Sequence, residues 1–227
     1  MIPYRDDNPT HTFPLVTIIL IAINCFVFIL ELLSPVGIAR IAFAYGAIPY
    51  NLLTFEATQI VHPVTSIFTA MFLHGGFFHL AGNMLYLWIF GNNIEDSLGH
   101  FRFILFYLFS GIVAAYAHAF TEPNSIIPMI GASGAVSGVL GAYLLLFPYA
   151  RVYTIIFFGF FLQIVRIPAI IVIGFWIVIQ IINGILSKGL LNQGGVAWFA
   201  HIGGFFAGIL IIKLLLPRRR YKGSFKF

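Results

Sequence analysis

"PMIGASGAVSGVLGAYLLLF", residues 128–147, is almost wholly small and apolar, yet it sets Ser133 between Gly131 and Gly134. A run this greasy belongs in lipid, and a hydroxyl near one end of it takes its meaning from whatever else reaches the same depth. The composition extends the point to the whole chain. Hydrophobic residues make up 60% of the 227 and charged ones 8%, against roughly a quarter charged in a soluble domain. A water-soluble globule of this composition would have too little polar surface to hydrate. Apolar runs recur throughout, and each needs about 20 residues to cross a bilayer core. The reading is an all-α, multi-spanning membrane protein.

Charge and cysteine usage narrow the classes further. The single cysteine, Cys25, lies inside an apolar run, so no disulfide framework is expected. The net charge is +5, but six of the twelve basic residues fall in the last fifteen positions, "KLLLPRRRYKGSFKF". That tail reads as a cytoplasmic anchor facing anionic lipid, not as a nucleic-acid site. "MIPYRDDNPTHTFPLV" leads into a long apolar run with no small-residue cleavage site after it, so no removable signal peptide is expected.

Six spans are expected: 13–33, 77–91, 103–120, 129–147, 168–186 and 196–216. A long external loop, 34–69, follows the first. Residues 152–165 are too few between Arg151 and Arg166 for an upright crossing, and read as a connector on or partly sunk in the membrane. With the N-terminus inside, Arg5, Arg102, Arg151, Arg166, Lys213 and the five basic residues of 218–226 all fall inside, and only Arg40 and Lys188 outside. This bias favours six spans with both termini cytoplasmic. The expected division is a cytoplasmic segment 1–12, a six-span domain 13–216 and a basic tail 217–227, in the cell membrane of a prokaryote.

The fourth span then runs from outside to inside and carries Ser133 about four residues, or roughly 6 Å, below its outer end. An isolated serine there is ordinarily a packing residue. Gly131, Gly134, Gly138 and Gly141 form the small-residue pattern of tight helix contacts. The sixth span runs the same way, and "VAWFAHIGGFFAG" puts His201 at a matching depth, with Gly204 and Gly208 below it on nearly the same face. An ionisable residue inside a span is a functional candidate, and a serine and histidine at equal depth suggest a nucleophile and its general base. "FLHGGFFHLAGNMLYLWIFG" adds His74, His79 and Asn83. His79 and Asn83, four apart, share a helix face and enter from the same side, as donors to an oxyanion must. His74 and His79 are five apart and no HExxH occurs, so no metal is expected. No span holds an aspartate, which excludes a paired-aspartate protease. His11, His62, His100 and His118 lie near span ends or in loops and carry little signal.

With "HGGFFHLAGN", "GASGAVSG" and "AHIGGFFAG" in this order, the chain resembles the rhomboid intramembrane serine proteases over about 13–216. The resemblance implies a rhomboid-type bundle and a Ser133–His201 dyad. It implies an oxyanion held by the Ser133 N–H with His79 and Asn83. It also implies no cofactor, and as partners the bilayer and single- or multi-span membrane proteins, cut near the outer face. "GNNIEDSLG" looks like the family's turn after the second span and implies a structural role for Glu95. Two positions depart from the pattern. Ser137 stands where some bacterial members have a tyrosine against the histidine, and "HPVTSIFTAMFLH" lacks the tryptophan that many have ahead of that segment. His74 and Ser137, with His79 and Asn83, are the polar residues expected to wet the site. The rival readings are a non-catalytic rhomboid-like binding protein and a small transporter; the second would show repeated halves, which the chain lacks.

Overall fold

The structure, a computed structural model, describes residues 2–56, 58–158, 161–187 and 196–217. The basic positions from 218 onward, on which most of the expected tail falls, lie outside the described residues. Ten helices and three strands are described. Four helices are long and apolar enough to cross a membrane: α1 (Leu15–Leu33), α7 (His100–Thr121), α9 (Ala169–Ser187) and α10 (Trp198–Leu215). The expected second span is longer than its apolar run. Helix α5 (Phe77–Tyr86) continues through a π-helical turn (Leu87–Gly91) into α6 (Asn92–Leu98). The "GNNIEDSLG" stretch is therefore mostly helix, and it stops at Gly99, whose φ of 77° suits glycine. The expected fourth span is shorter: α8 is Ser133–Leu146, 14 residues.

Helix α8 is the centre of the bundle, with every residue from Ala135 to Tyr143 buried, as expected of a helix that is apolar all round. Its neighbours are α7 and α10. A β-carbon at Gly204 would run into the carbonyl of Gly134, one at Gly208 into that of Gly138, and one at Gly141 into that of Phe205. The backbones of α8 and α10 therefore touch over two turns, which only glycine permits.

Two expectations need correction. The fold is mostly but not wholly helical, because the connector expected at 152–165 is folded as strands. These are β2 (Arg151–Phe158) and β3 (Phe161–Pro168), and β1 (Ile2–Asp6) from the N-terminal segment adds to them, giving an antiparallel sheet in the order β1-β2-β3. The cause is local. "VYTII" and "LQIVRI" are rich in β-branched residues, and alternate ones, Val152 and Thr154, are fully buried. On the other face, the guanidinium groups of Arg5 and Arg166 lie 4.9 Å and 5.0 Å from the Tyr153 ring centroid. The Tyr143 hydroxyl donates to Asp6 at 2.6 Å, fastening the sheet to α8. Burial raises the Asp6 carboxyl above its usual range, and the Tyr143 hydrogen bond opposes this.

The stretch 34–69 is likewise more than a loop. It holds α2 (Ile38–Tyr45), α3 (Pro49–Thr54) and most of α4 (Pro63–Ala70). The Gln59 amide donates to the carbonyls of Phe43 and Gly46, both at 2.8 Å, closing the stretch on itself. At the other end of the bundle, buried Glu95 does the work of an N-cap for α1, which has no side-chain cap of its own. It accepts the N–H groups of Val16 and Thr17, each at 2.8 Å, and the Thr17 hydroxyl at 2.7 Å. It also meets His100 Nδ1 at 2.6 Å.

The glycine contact generates the first prediction. Gly208→Val, two turns from His201, should lower the unfolding free energy in detergent by about 1–3 kcal/mol, the usual cost of overpacking. An unchanged thermal transition would show that α8 and α10 do not approach so closely.

Candidate active site

The site begins where α8 begins. Gly131 has a φ of 119°, which an L side chain resists, so the chain turns sharply there and the helix starts at Ser133 rather than at Met129 as expected. The approach is pinned from outside the helix. Met129 and Ala47 exchange backbone hydrogen bonds at 2.8 Å and 3.0 Å, and the Gly131 N–H donates to the Ala70 carbonyl at 2.8 Å. Ser133 thus occupies the first turn of α8, where backbone N–H groups have no partner within the helix and the helix dipole favours negative charge.

His201 enters from α10. Its Nε2 lies 2.8 Å from Ser133 Oγ, and its Nδ1 lies 2.8 Å from Oε1 of Gln180 on α9. The indole of Trp176 lies with its ring centroid 6.0 Å away, and Trp198 stands edge-on at 6.2 Å. The glycine contacts between α8 and α10 set the register that brings Ser133 and His201 to one height.

The α5 residues converge on the same place from the other side of the turn. A β-carbon at Gly131 would lie 2.7 Å from His79 Nε2 and 3.6 Å from Asn83 Nδ2, so both nitrogens crowd the backbone two residues ahead of Ser133. The Gly75 N–H donates to His79 Nδ1 at 3.4 Å, which leaves Nε2 as the protonated, donating nitrogen. The Asn83 amide nitrogen is buried and has no partner among the described residues. Both nitrogens thus lie at the turn that leads into Ser133, and the Asn83 donor there lacks an acceptor among the described residues.

His74 and Ser137 both lie beside this group, one against His79 and the other one turn along α8 from Ser133. The Ser137 hydroxyl donates to the Ser133 carbonyl at 2.6 Å, spent one turn back along its own helix. His74 is fully buried against the edge of the His79 ring, at 5.1 Å between centroids. The His74 backbone N–H donates to buried Glu31 at 3.1 Å, tying α1 to the turn before α5. The cavity that does reach Ser133 is about 40 Å³ and is lined chiefly by Ala47, Ala70, Ala114, Ala200, Met71 and Met129. It is apolar and small.

Glu31 and Gln180 were missed in the sequence, although each is a strongly polar residue in an otherwise apolar span, a costly placement that asks for a partner. Comparison with known proteins bears on the same segments. The Rhomboid domain model matches residues 61–218. The chain is 32% identical over 160 residues to RHOMBOID-like protein 1 of Arabidopsis thaliana, covering 70% of this chain and 36% of that one. It is 30% identical over 206 residues to Rhomboid protease GluP of Bacillus subtilis, covering 90% and 35%. It is 31% identical over 150 residues to the mitochondrial Rhomboid protein 1 of Saccharomyces cerevisiae, covering 64% and 40%. The matched part is little more than a third of each relative's length. Residues 61–218, which the domain model matches, contain the turn at Gly131, the glycine contacts of α8 with α10, and the residues gathered around Ser133. By these matches the chain belongs to the rhomboid family, and its apolar helices make it an integral, multi-pass membrane protein.

Proposed function

We propose that this protein is an intramembrane serine endopeptidase that cuts membrane-spanning segments of other proteins near the outer face, through a dyad of Ser133 and His201. The observation that carries the reading is the 2.8 Å separation of Ser133 Oγ and His201 Nε2. At that distance Nε2 takes the hydroxyl proton as Oγ bonds to a substrate carbonyl carbon. The carbonyl electron pair moves to its oxygen, which the Ser133 N–H at the head of α8, His79 Nε2–H and Asn83 Nδ2–H hold. Collapse breaks the C–N bond, and the departing amine takes the proton from Nε2. Water then gives its proton to Nε2 and attacks the ester, and Ser133 regains its hydrogen as the acid product leaves.

The substrate must present an extended peptide bond, since an intact helix hides its carbonyls. Segments with weak helix propensity and a small side chain at the scissile bond fit the 40 Å³ apolar cavity beside Ser133. For the topology we propose six spans, namely α1, the α5–α6 helix, α7, α8, α9 and α10, with both termini cytoplasmic in a prokaryotic cell membrane. The six spans make up the domain 13–216, between the segment 1–12 and the tail 217–227. The pairing of β1 with β2 supports this, because it puts the N-terminal strand at the same end as the link from α8 to α9.

The test is cleavage of a single-span substrate by the purified protein in liposomes. Ser133→Ala and His201→Ala should each lower kcat by about 10⁴-fold or more, and the double variant should be no worse, because members of a catalytic unit are not additive. Cleavage by Ser133→Ala at the wild-type rate would sink the proposal. Asn83→Ala and His79→Ala should each lower kcat by about 100–1,000-fold with the fold intact; full activity in both would make these residues structural. Replacing the small residue at the mapped scissile bond with phenylalanine should lower kcat/KM at least about tenfold. Equal cleavage would show that this side chain does not enter the cavity.

A further inference from the structure

We infer that Gln180 is a positioning residue for His201, so that the site works as a serine–histidine–glutamine relay assembled from three helices; the inference rests on the dyad proposed above. An imidazole has two nitrogens, and a general base must present the unprotonated one to the nucleophile. Here Nε2 faces Ser133 Oγ and Nδ1 faces Gln180 Oε1, both at 2.8 Å. An amide oxygen only accepts, so Nδ1 carries the hydrogen and Nε2 keeps its lone pair toward the serine.

The amide is itself oriented. Its Nε2 donates to the Trp176 carbonyl one turn back on α9, at 3.4 Å. Turning the amide over would set its oxygen against that carbonyl and its NH₂ against Nδ1, giving the tautomer that cannot accept the serine proton. Gln180 is only 6% exposed, so its amide is largely shielded from water that would compete for it. Nothing on α8 does this work, because Ser137 is spent on the Ser133 carbonyl. The side walls come from Trp176 on α9 and Trp198 on α10. A neutral amide suits a site inside the bilayer, where a carboxylate would need several further hydrogen bonds to offset its desolvation.

The test uses the full chain in detergent micelles and a fluorophosphonate probe, whose reaction needs an activated serine but no peptide substrate. The wild type should label and Ser133→Ala should not. Gln180→Leu, similar in shape but without an acceptor, should label about 10–100-fold more slowly. Gln180→Glu, which keeps an acceptor oxygen, should recover to within about tenfold of the wild type. Ring-nitrogen NMR of ¹⁵N-histidine protein should show His201 protonated at Nδ1 in the wild type, a preference lost in Gln180→Leu. A merely structural role would not move that spectrum. If folded wild-type protein fails to label, the dyad falls and this inference with it. If the wild type labels and Gln180→Leu matches it, or Gln180→Glu is as slow as Gln180→Leu, the dyad stands and the role of Gln180 is overturned. Should Gln180→Leu not fold, the wild-type spectrum decides, and His201 protonated at Nε2 refutes the inference.

Discussion

The backbone contact between α8 and α10 is the constraint on which the rest depends. Lipid tails are as apolar as leucine, so helices in a membrane gain little from hiding from their surroundings and associate through close packing. Gly134 and Gly138 on one helix and Gly204 and Gly208 on the other let the two backbones meet. At such contact a shift of one residue would drive side chains into carbonyls, so the register is steeply defined. Ser133 sits one residue before the first of these glycines and His201 three before its counterpart. The register that the glycines enforce is therefore what holds the hydroxyl and the imidazole 2.8 Å apart.

A fixed pair of helices still has to end at the right height, and the segment 34–69 sees to that. Its helices α2 to α4 fold over the approach to α8, and the carbonyls of Ala47 and Ala70 accept the N–H groups of Met129 and Gly131. With those two hydrogen bonds in place the turn at Gly131 cannot unwind into another helical turn. Its left-handed backbone also removes the side chain that would otherwise fill the space facing His79 and Asn83. One glycine thus fixes where α8 begins, exposes its first N–H groups and leaves space beside them.

The sequence reveals much of this site because a membrane makes polar residues conspicuous. Ser133, His79, Asn83 and His201 stand out as polar groups beside glycines in apolar runs, and equal depth follows from counting residues. Gln180 carries the same signal without a neighbouring glycine, and its partner is on another helix, so spacing within the span says nothing about it. The start of α8 was misjudged because Met129 and Ile130 are apolar enough to be helix, and only the tertiary hydrogen bonds of Gly131 decide otherwise. The sheet was misread for a different reason. By length and charge residues 152–165 read as a connector too short for an upright crossing, whereas their β-branched content needs a partner strand. That partner, Ile2–Asp6, lies about 150 residues away in the chain, and no local pattern announces a pairing at that distance.

On the function proposed above, the arrangement around His201 is one way to build a hydrolytic site where charge is expensive. In the relay inferred above, with both separations at 2.8 Å, the Gln180–His201–Ser133 line joins neutral groups at rest and buries no ion. Charge is needed only as the reaction proceeds, when the imidazole gains a proton and the substrate oxygen becomes negative. The two charges then appear together, a few ångströms apart, in a medium of low dielectric where their attraction is far stronger than in water. A permanent carboxylate behind the imidazole would stabilise the cation but would have to be kept buried through every resting moment. The amide gives up part of that stabilisation and keeps the orientation, which in a site already fixed by glycine contacts is the part that packing alone cannot supply.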